Sequence, residues 1–472
     1  MQVRFRKTSP SAPPRLRALT LSIVAVGVLV AREPGLAQAP TVTPTAPAPR
    51  PLAAEALTLD DALAYAATSA PALQAERLQV AVQRLNNDIA RSAYLPRAGA
   101  TVSGQHNFRL PVSIVPDFQN PESGETQAVT FGVANTLTAT FYARQLLYDP
   151  AVIRDLRLRD PLVRSAEFAV AEILRDLRAD VSTAYYEALR AREQLDLARG
   201  DIARLERNLR DARLRLEEGL DDKVPRLRAS IALNDARTRA RRAEEALQTR
   251  RAQLARLIGY AGDAQELSLR YDYDAIAERV EEAARPELAP QRRAELKRLA
   301  ADRAAQEIRT EFARRSWLPD VGLNYGYDFN WQDDRLEQLF DRTFRASYLG
   351  LSATVPLFRG GARFKEVELA RTVGAQLDLR AEATTDLIEA EYATAANDLD
   401  AALAALALAR DNRALAEEVY EVVTLQYREG ITPFLDVVIA ENDLQAARIE
   451  TLNAIIDAAV ARVALARAAG GQ

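Results

Sequence analysis

Residues 195–216 read Leu-Asp-Leu-Ala-Arg-Gly-Asp-Ile-Ala-Arg-Leu-Glu-Arg-Asn-Leu-Arg-Asp-Ala-Arg-Leu-Arg-Leu. In that stretch Leu195, Ala198, Ile202, Leu205, Leu209, Ala212 and Leu216 step alternately by three and four, with arginines filling the positions between them. A 3-4 alternation places one narrow apolar seam along a helix, the pattern of a coiled coil rather than of a globular core helix. The surrounding run from Ala151 to Ala261 is nearly free of Gly and poor in Pro, and is interrupted at Glu217-Glu218-Gly219-Leu220. From Ala151 to Glu218 is 68 residues, which at about 1.5 Å each predicts a rod of roughly 100 Å. Such a rod spans a distance.

Similar spacing recurs near the C-terminus. Tyr148 to Gly219 covers 71 positions and Phe358 to Gly430 covers 72; Gly219 to Gly259 and Gly430 to Gly470 both cover 40. Ala313-Arg314-Arg315-Ser316-Trp317-Leu318-Pro319 answers Ala90-Arg91-Ser92-Ala93-Tyr94-Leu95-Pro96. These intervals predict an internal duplication, with residues 57–275 and 276–472 as its two copies. Each copy is read as a helix, a β-hairpin (98–142 and 320–357) and a long helical hairpin. The first helix is expected to start near Thr58 or Asp60 and run unbroken through Ala70-Pro71 to Ala93.

Between helix and rod the period changes to two. Ala98, Ala100, Val102, Gly104, His106, Phe108 and Leu110 alternate with polar residues, as do Val321, Leu323, Tyr325, Tyr327, Phe329 and Trp331 with Asp320, Asn324, Asp328 and Asn330. Strands of roughly ten residues with one apolar, aromatic-rich face have the length and alternation of a transmembrane barrel wall. A soluble β-sandwich packed on helices uses the same alternation and is the competing reading. Two hairpins supply four strands per chain, too few to close a barrel. A membrane wall must leave no unpaired edge, so several copies would share it, and three would give twelve strands.

At the N-terminus, Arg4, Arg6, Lys7, Arg15 and Arg17 precede an apolar segment from Leu19 to Val30 and Ala37-Gln38-Ala39. This is the layout of a secretory signal peptide, residues 1–39, with Ala31 as an alternative cleavage position because Pro40 follows Ala39. Its loss removes six bases and one acid, taking the formal charge from −4 to about −9. A Pro/Ala/Thr-rich tether, residues 40–56, follows. The 62 basic and 66 acidic residues are interspersed, which gives no nucleic-acid-binding surface. No later segment offers eighteen uncharged apolar residues for a membrane helix.

Catalytic and cofactor sites lack their parts. There is no Cys, His106 is the single histidine, and no Gly-rich phosphate loop occurs. His106 on a strand reads as a wall residue, and Asp221-Asp222 and Asp333-Asp334 as solvated turn acids. No metal site and no cofactor is expected, and the chain does not read as an enzyme.

From about Leu57 to Ala468 the chain resembles the TolC-like outer-membrane efflux family. The resemblance rests on the ordered set of Ala70-Pro71-Ala72-Leu73, two Leu-Pro strand entries, Thr183-Ala184-Tyr185-Tyr186, Val355-Pro356-Leu357-Phe358-Arg359-Gly360-Gly361 and the turns at Gly219 and Gly430. It implies an α+β membrane protein in the cell outer membrane: a homotrimer with a twelve-stranded barrel in outer-membrane lipid, continued by an α-helical barrel through the periplasm. Residues 257–290 and the terminal segments would form an equatorial band. It implies an exit duct for drugs, metals or proteins in tripartite efflux or type I secretion, with a periplasmic adaptor (membrane fusion protein) and an inner-membrane pump of RND or ABC type as partners. The alternative is a periplasmic coiled-coil adaptor or structural protein without a pore.

The resemblance also assigns sites. Asp436, six residues past Gly430, holds the position of a pore-projecting acid, and a threefold ring of it would favour cations. Tyr427 matches a tyrosine of the pore constriction, while Thr432 stands where some members carry a latching arginine and Ile439 where a second ring acid would be. Lys223-Val224-Pro225 departs from the usual acid-containing turn of the first copy. Gly219, Leu220, Gly430 and Ile431 fit the tips that adaptor hairpins contact, and helix termination explains the glycines equally well.

Overall fold

The computed structural model describes residues 57–116, 126–218, 222–270, 272–429 and 431–470, all within one compact unit, Ala46–Gln472. The expected signal peptide, residues 1–39, and the tether, residues 40–56, lie outside the described residues.

The seam forms as read. Helix α3 spans Pro150–Glu217, 68 residues, started by Asp149, whose side chain accepts from Ala151 N at 2.7 Å. Every seam residue from Leu195 to Leu216 is buried or half-buried, against α4, Lys223–Ile258. Pro161 inside α3 lacks the N–H that would close its turn. Gly259, at φ +74, ends α4 in the left-handed conformation, and its N–H caps the Ala255 and Arg256 carbonyls. A Cβ there would lie 2.5 Å from the Ser69 carbonyl oxygen, so this position requires Gly.

The second helical pair repeats the first: α7, Ala362–Arg428, has 67 residues and α8, Phe434–Ala469, has 36, against 68 and 36 for α3 and α4. Shorter α2, Pro71–Ser92, packs on α3, while α6, Ala294–Arg314, packs on both α3 and α7.

Three details differ from the sequence reading. The N-terminal helix is two helices, α1 (Leu59–Ser69) and α2, broken at Ala70, which is extended at φ −60, ψ 121. A residue before proline is pushed out of the helical region, and Pro71 instead begins the next helix. Thr58 is the N-cap, in a reciprocal capping box with Asp61. Next, the first β-hairpin is longer than 98–142 and bent: β1 (Arg97–His106) and β4 (Asn135–Tyr148) form its base, while β2 (Val112–Pro116) and β3 (Thr126–Thr130) pair beyond a kink. Gly132, at φ +102, supplies the kink on the return path. Finally, the anticipated 275/276 division falls inside a helix, α5, Tyr273–Glu282.

One four-stranded antiparallel sheet, in the order β1-β4-β5-β6, joins the two hairpins, with β5 at Asp320–Asp333 and β6 at Thr343–Thr354. Among the described residues no helix packs on either face, which removes the β-sandwich packed on helices. The core lies elsewhere, midway along the rods, where Leu73, Val181, Leu189, Leu254, Ile258 and Ile456 are fully buried. Here the N-terminal segment pairs in parallel with the chain after α4, Leu57 to Leu269. The buried Tyr185 hydroxyl sits 3.1 Å from the Leu57 carbonyl oxygen and 2.5 Å from that of Arg270, tying both segments to α3. Among the described residues no helix is long and apolar enough to cross a membrane.

Candidate functional site

The sheet carries the first functional surface. Its register places Val102, Ala139, Phe329 and Arg345 in one row across four strands, and Ala100, Phe141, Tyr327 and Ser347 in the next. Trp331, Leu137, Tyr325, Leu323, Leu349 and Leu351 share that face. Val102, Leu349 and Leu351 are each 69% exposed, although apolar side chains in contact with nothing are unfavourable in water. The rings associate along the face: Tyr327 and Phe329 centroids are 4.9 Å apart and Phe141 and Phe329 6.0 Å. From Val321 to Trp331 is ten residue steps, about 33 Å along a strand. At a tilt of 40° that becomes about 25 Å, the height of a lipid-facing band. Arg345, with its guanidinium 5.7 Å from the Phe329 ring centroid, lies near the loop end of β6, where a long side chain reaches an interface.

The opposite face is polar. Thr101, Thr140, Asp328 and Ala346 form one row and Ser103, Thr138, Asn330 and Phe344 another, so only its β6 edge is apolar, and Thr138 donates to Asn330 Oδ1 at 2.8 Å. Both outer strands, β1 and β6, leave one edge unpaired among the described residues. The open sheet therefore has one oily and one largely wet face.

At the other end, α7 and α8 meet in a tight turn. Ile431 N donates to the Gln426 carbonyl at 2.9 Å, satisfying a carbonyl of the last turn of α7. Pro433 precedes α8 in extended conformation. Asp436 is the third residue of α8, with its N–H on the Pro433 carbonyl at 3.1 Å. Its half-buried carboxylate has no hydrogen bond or salt bridge among the described residues, and Thr432 Oγ1 is enclosed without a partner. Tyr427 is half-buried on the last turn of α7, and Ile431 is exposed. Gly219, Leu220 and Gly430 lie outside the described residues. Exposed Leu435 and Ile439 follow on α8, as Val224 and Leu227 follow on α4.

A link between the two hairpins was not read from the sequence. Arg204 on α3 pairs with Asp201 and reaches Glu441 on α8 at 3.0 Å. Burial raises the Asp201 pKa, against the pull of Arg204. Only the i,i+3 part of this arrangement was visible in the sequence; its partner is distant in the chain. Of the turn acids, Asp222 caps α4 through Val224 N at 2.8 Å and Asp333 accepts from Arg335 N at 2.8 Å, whereas Asp334 reaches the first hairpin and accepts from Ala134 N at 3.0 Å. His106 pairs with Asn135 Oδ1 at 2.7 Å on the wall.

Sequence and structure comparisons agree on what this arrangement resembles. The profile of a family described as outer membrane efflux protein matches residues 62–260 and 286–471. The chain is 25% identical over 422 residues to the outer membrane efflux protein BepC of Brucella suis, covering 88% of this chain and 85% of that protein. With protein CyaE of Bordetella pertussis it shares 28% identity over 372 residues, 76% of this chain and 74% of the other. A solved structure of CusC, described in terms of folding and transmembrane channel formation, superimposes with a TM-score of 0.68 at 16% identity, over 88% of this chain and 92% of that one.

Proposed function

Because this chain belongs to the outer membrane efflux protein family, we propose that three copies of it form the exit duct of a tripartite efflux or type I secretion system. It is an outer-membrane protein with a periplasmic extension, and a channel component rather than an enzyme. The observation that carries the reading is the four-stranded sheet with two uncovered, chemically opposite faces and two open edges. In water that sheet exposes a large apolar surface and unpaired backbone; in a bilayer it has one fate, closure with further copies. Pairing β6 of one copy with β1 of the next closes twelve strands from three chains, with the aromatic face on lipid and the polar face on the lumen.

The helices support the same assembly. Leu78, Val82, Leu85 and Ile89 form an exposed stripe on α2, and Leu408, Leu415, Val419 and Val422 another on α7. Stripes at this spacing are seams awaiting a neighbouring helix. The paired helix lengths support two repeats, 57–275 and 276–472. At the far end Asp436 from each chain forms a cation-favouring ring beside Tyr427 and Thr432. The apolar tips at Gly219-Leu220 and Gly430-Ile431 receive a periplasmic adaptor, which couples the duct to an RND or ABC pump. Transport through the duct is passive and its cargo of drugs, metals or proteins is chosen by the pump.

Reconstitution of the purified protein in planar bilayers tests this. Expected are discrete conductance steps from a heat-modifiable trimer, and a lower cation preference with weaker block by multivalent cations in Asp436→Ala. A monomer without conductance contradicts the duct, and identical reversal potentials in wild type and variant contradict the role of Asp436.

A further inference from the structure

Near the helix-proximal end of the sheet, the polar face holds two arginines directly opposite one another, Arg97 of β1 and Arg144 of β4. Their row continues through Asn324 of β5 and Gly350 of β6. Both arginines are exposed, and neither has a carboxylate partner among the described residues. Like charges directly across an antiparallel pair weaken the sheet. What sets the pair apart is its placement: two like charges face each other across one row of the polar face.

The surroundings keep that charge positive and presented. Arg144 reaches over β5: a Cβ on Gly322 would lie 3.6 Å from its Nε. Its neighbours there, Asn324 and Ser352, are neutral and bonded to each other at 2.8 Å. Along the strands the nearest acid is Asp320, two residues from Gly322 and so about 7 Å away along β5, a single carboxylate against two guanidinium groups; Asp328 is four residues from Asn324 and Asp149 five beyond Arg144. The next row outward is Gly99, Tyr142, Gly326 and Tyr348, in which each tyrosine ring lies flat over its neighbouring glycine. The rings cover backbone rather than the arginines, which stay open to the polar side.

We propose that Arg97 and Arg144 form an anion-attracting ring at the neck of the duct, where barrel meets helices, and that it draws the carboxylate or phosphate groups of passing molecules. The proposal rests on the trimeric pore reading, since only there does the polar face become a lumen. Two arginines per chain then give six guanidinium groups around one level. A low-dielectric wall focuses such a field on the pore axis, and guanidinium stays charged at every working pH. The duct thus has two selectivity levels of opposite sign in series, the Asp436 ring at the periplasmic end and the arginine ring at the neck.

The test is the reversal potential of single channels under a KCl gradient, for wild type, Arg97→Ser/Arg144→Ser and Arg97→Lys/Arg144→Lys. Removing the ring should raise the potassium-to-chloride permeability ratio at least about twofold, a local potential of order one kT, while the lysine pair stays near wild type. The single serine variants each show part of the shift and stand in where the double variant does not assemble. An unchanged ratio in conducting serine channels overturns the ring while leaving the pore intact; absence of any channel in wild type overturns the pore reading and the ring with it.

Discussion

Glu295 lies 2.5 Å from Arg175 of α3 and 2.8 Å from Arg293, whose other nitrogen donates to the Ala468 carbonyl at 2.7 Å. Burial acts to raise the Glu295 pKa, but hydrogen bonds from Arg293 and Arg175 overcome it and hold the carboxyl at about 2, below its ordinary 4.5. A depressed folded-state pKa stabilises above the unfolded value and is lost on acidification. The contribution is therefore complete above about pH 4.5 and disappears as pH falls toward 2. Glu295→Gln is expected to cost about 2 kcal/mol at neutral pH and to flatten the stability profile between those values; circular-dichroism melts across pH check both. Residue-scale legibility was uneven. Asp436 was named by the family resemblance from its local distance past Gly430, and its carboxylate has no bonding partner among the described residues. Glu295, Arg204 and the Arg97–Arg144 pair were not singled out, because their distant partners, Arg175, Glu441 and the facing arginine, are more than twenty residues away and an isolated charge in an alternating or helical pattern reads as solvated.

Among elements, the long helices were the easiest to read because their seam repeats over many turns, so local errors average out. The break at Ala70 was missed although Pro71 marks it: apolar residues continue on both sides, and that continuity outweighed a single stereochemical constraint. The second pair of strands was missed for a related reason. β2 and β3 are five residues each, too short to show a period, and β2 lies in a stretch dense in Pro, Asn and Gly, residues 111–124. Element-scale packing also yields a test of assembly. The α2 stripe is exposed in the isolated chain, so Leu85→Glu with Ile89→Glu leaves subunit folding unchanged. If a neighbouring copy covers the stripe, the double variant yields folded monomers by light scattering; if water covers it, trimers persist.

Across the whole molecule, the sheet and the rods state one requirement twice. Four strands expose two edges and an apolar face, and the helices expose seams, so every unsatisfied surface calls for more of the same chain. The wet-and-oily division of the sheet was legible from alternation alone. Its joining of the two hairpins through β4 and β5 was not, since that pairing links residues almost two hundred positions apart. Closure between chains is the claim on which barrel, duct, cation ring and anion ring all depend. Electron cryo-microscopy of the full protein in lipid nanodiscs tests it most directly. The account predicts a threefold particle with β6 of each copy hydrogen-bonded to β1 of the next in a twelve-stranded wall; particles in which β1 and β6 remain unpaired, or in which the sheet closes without other copies, would contradict it.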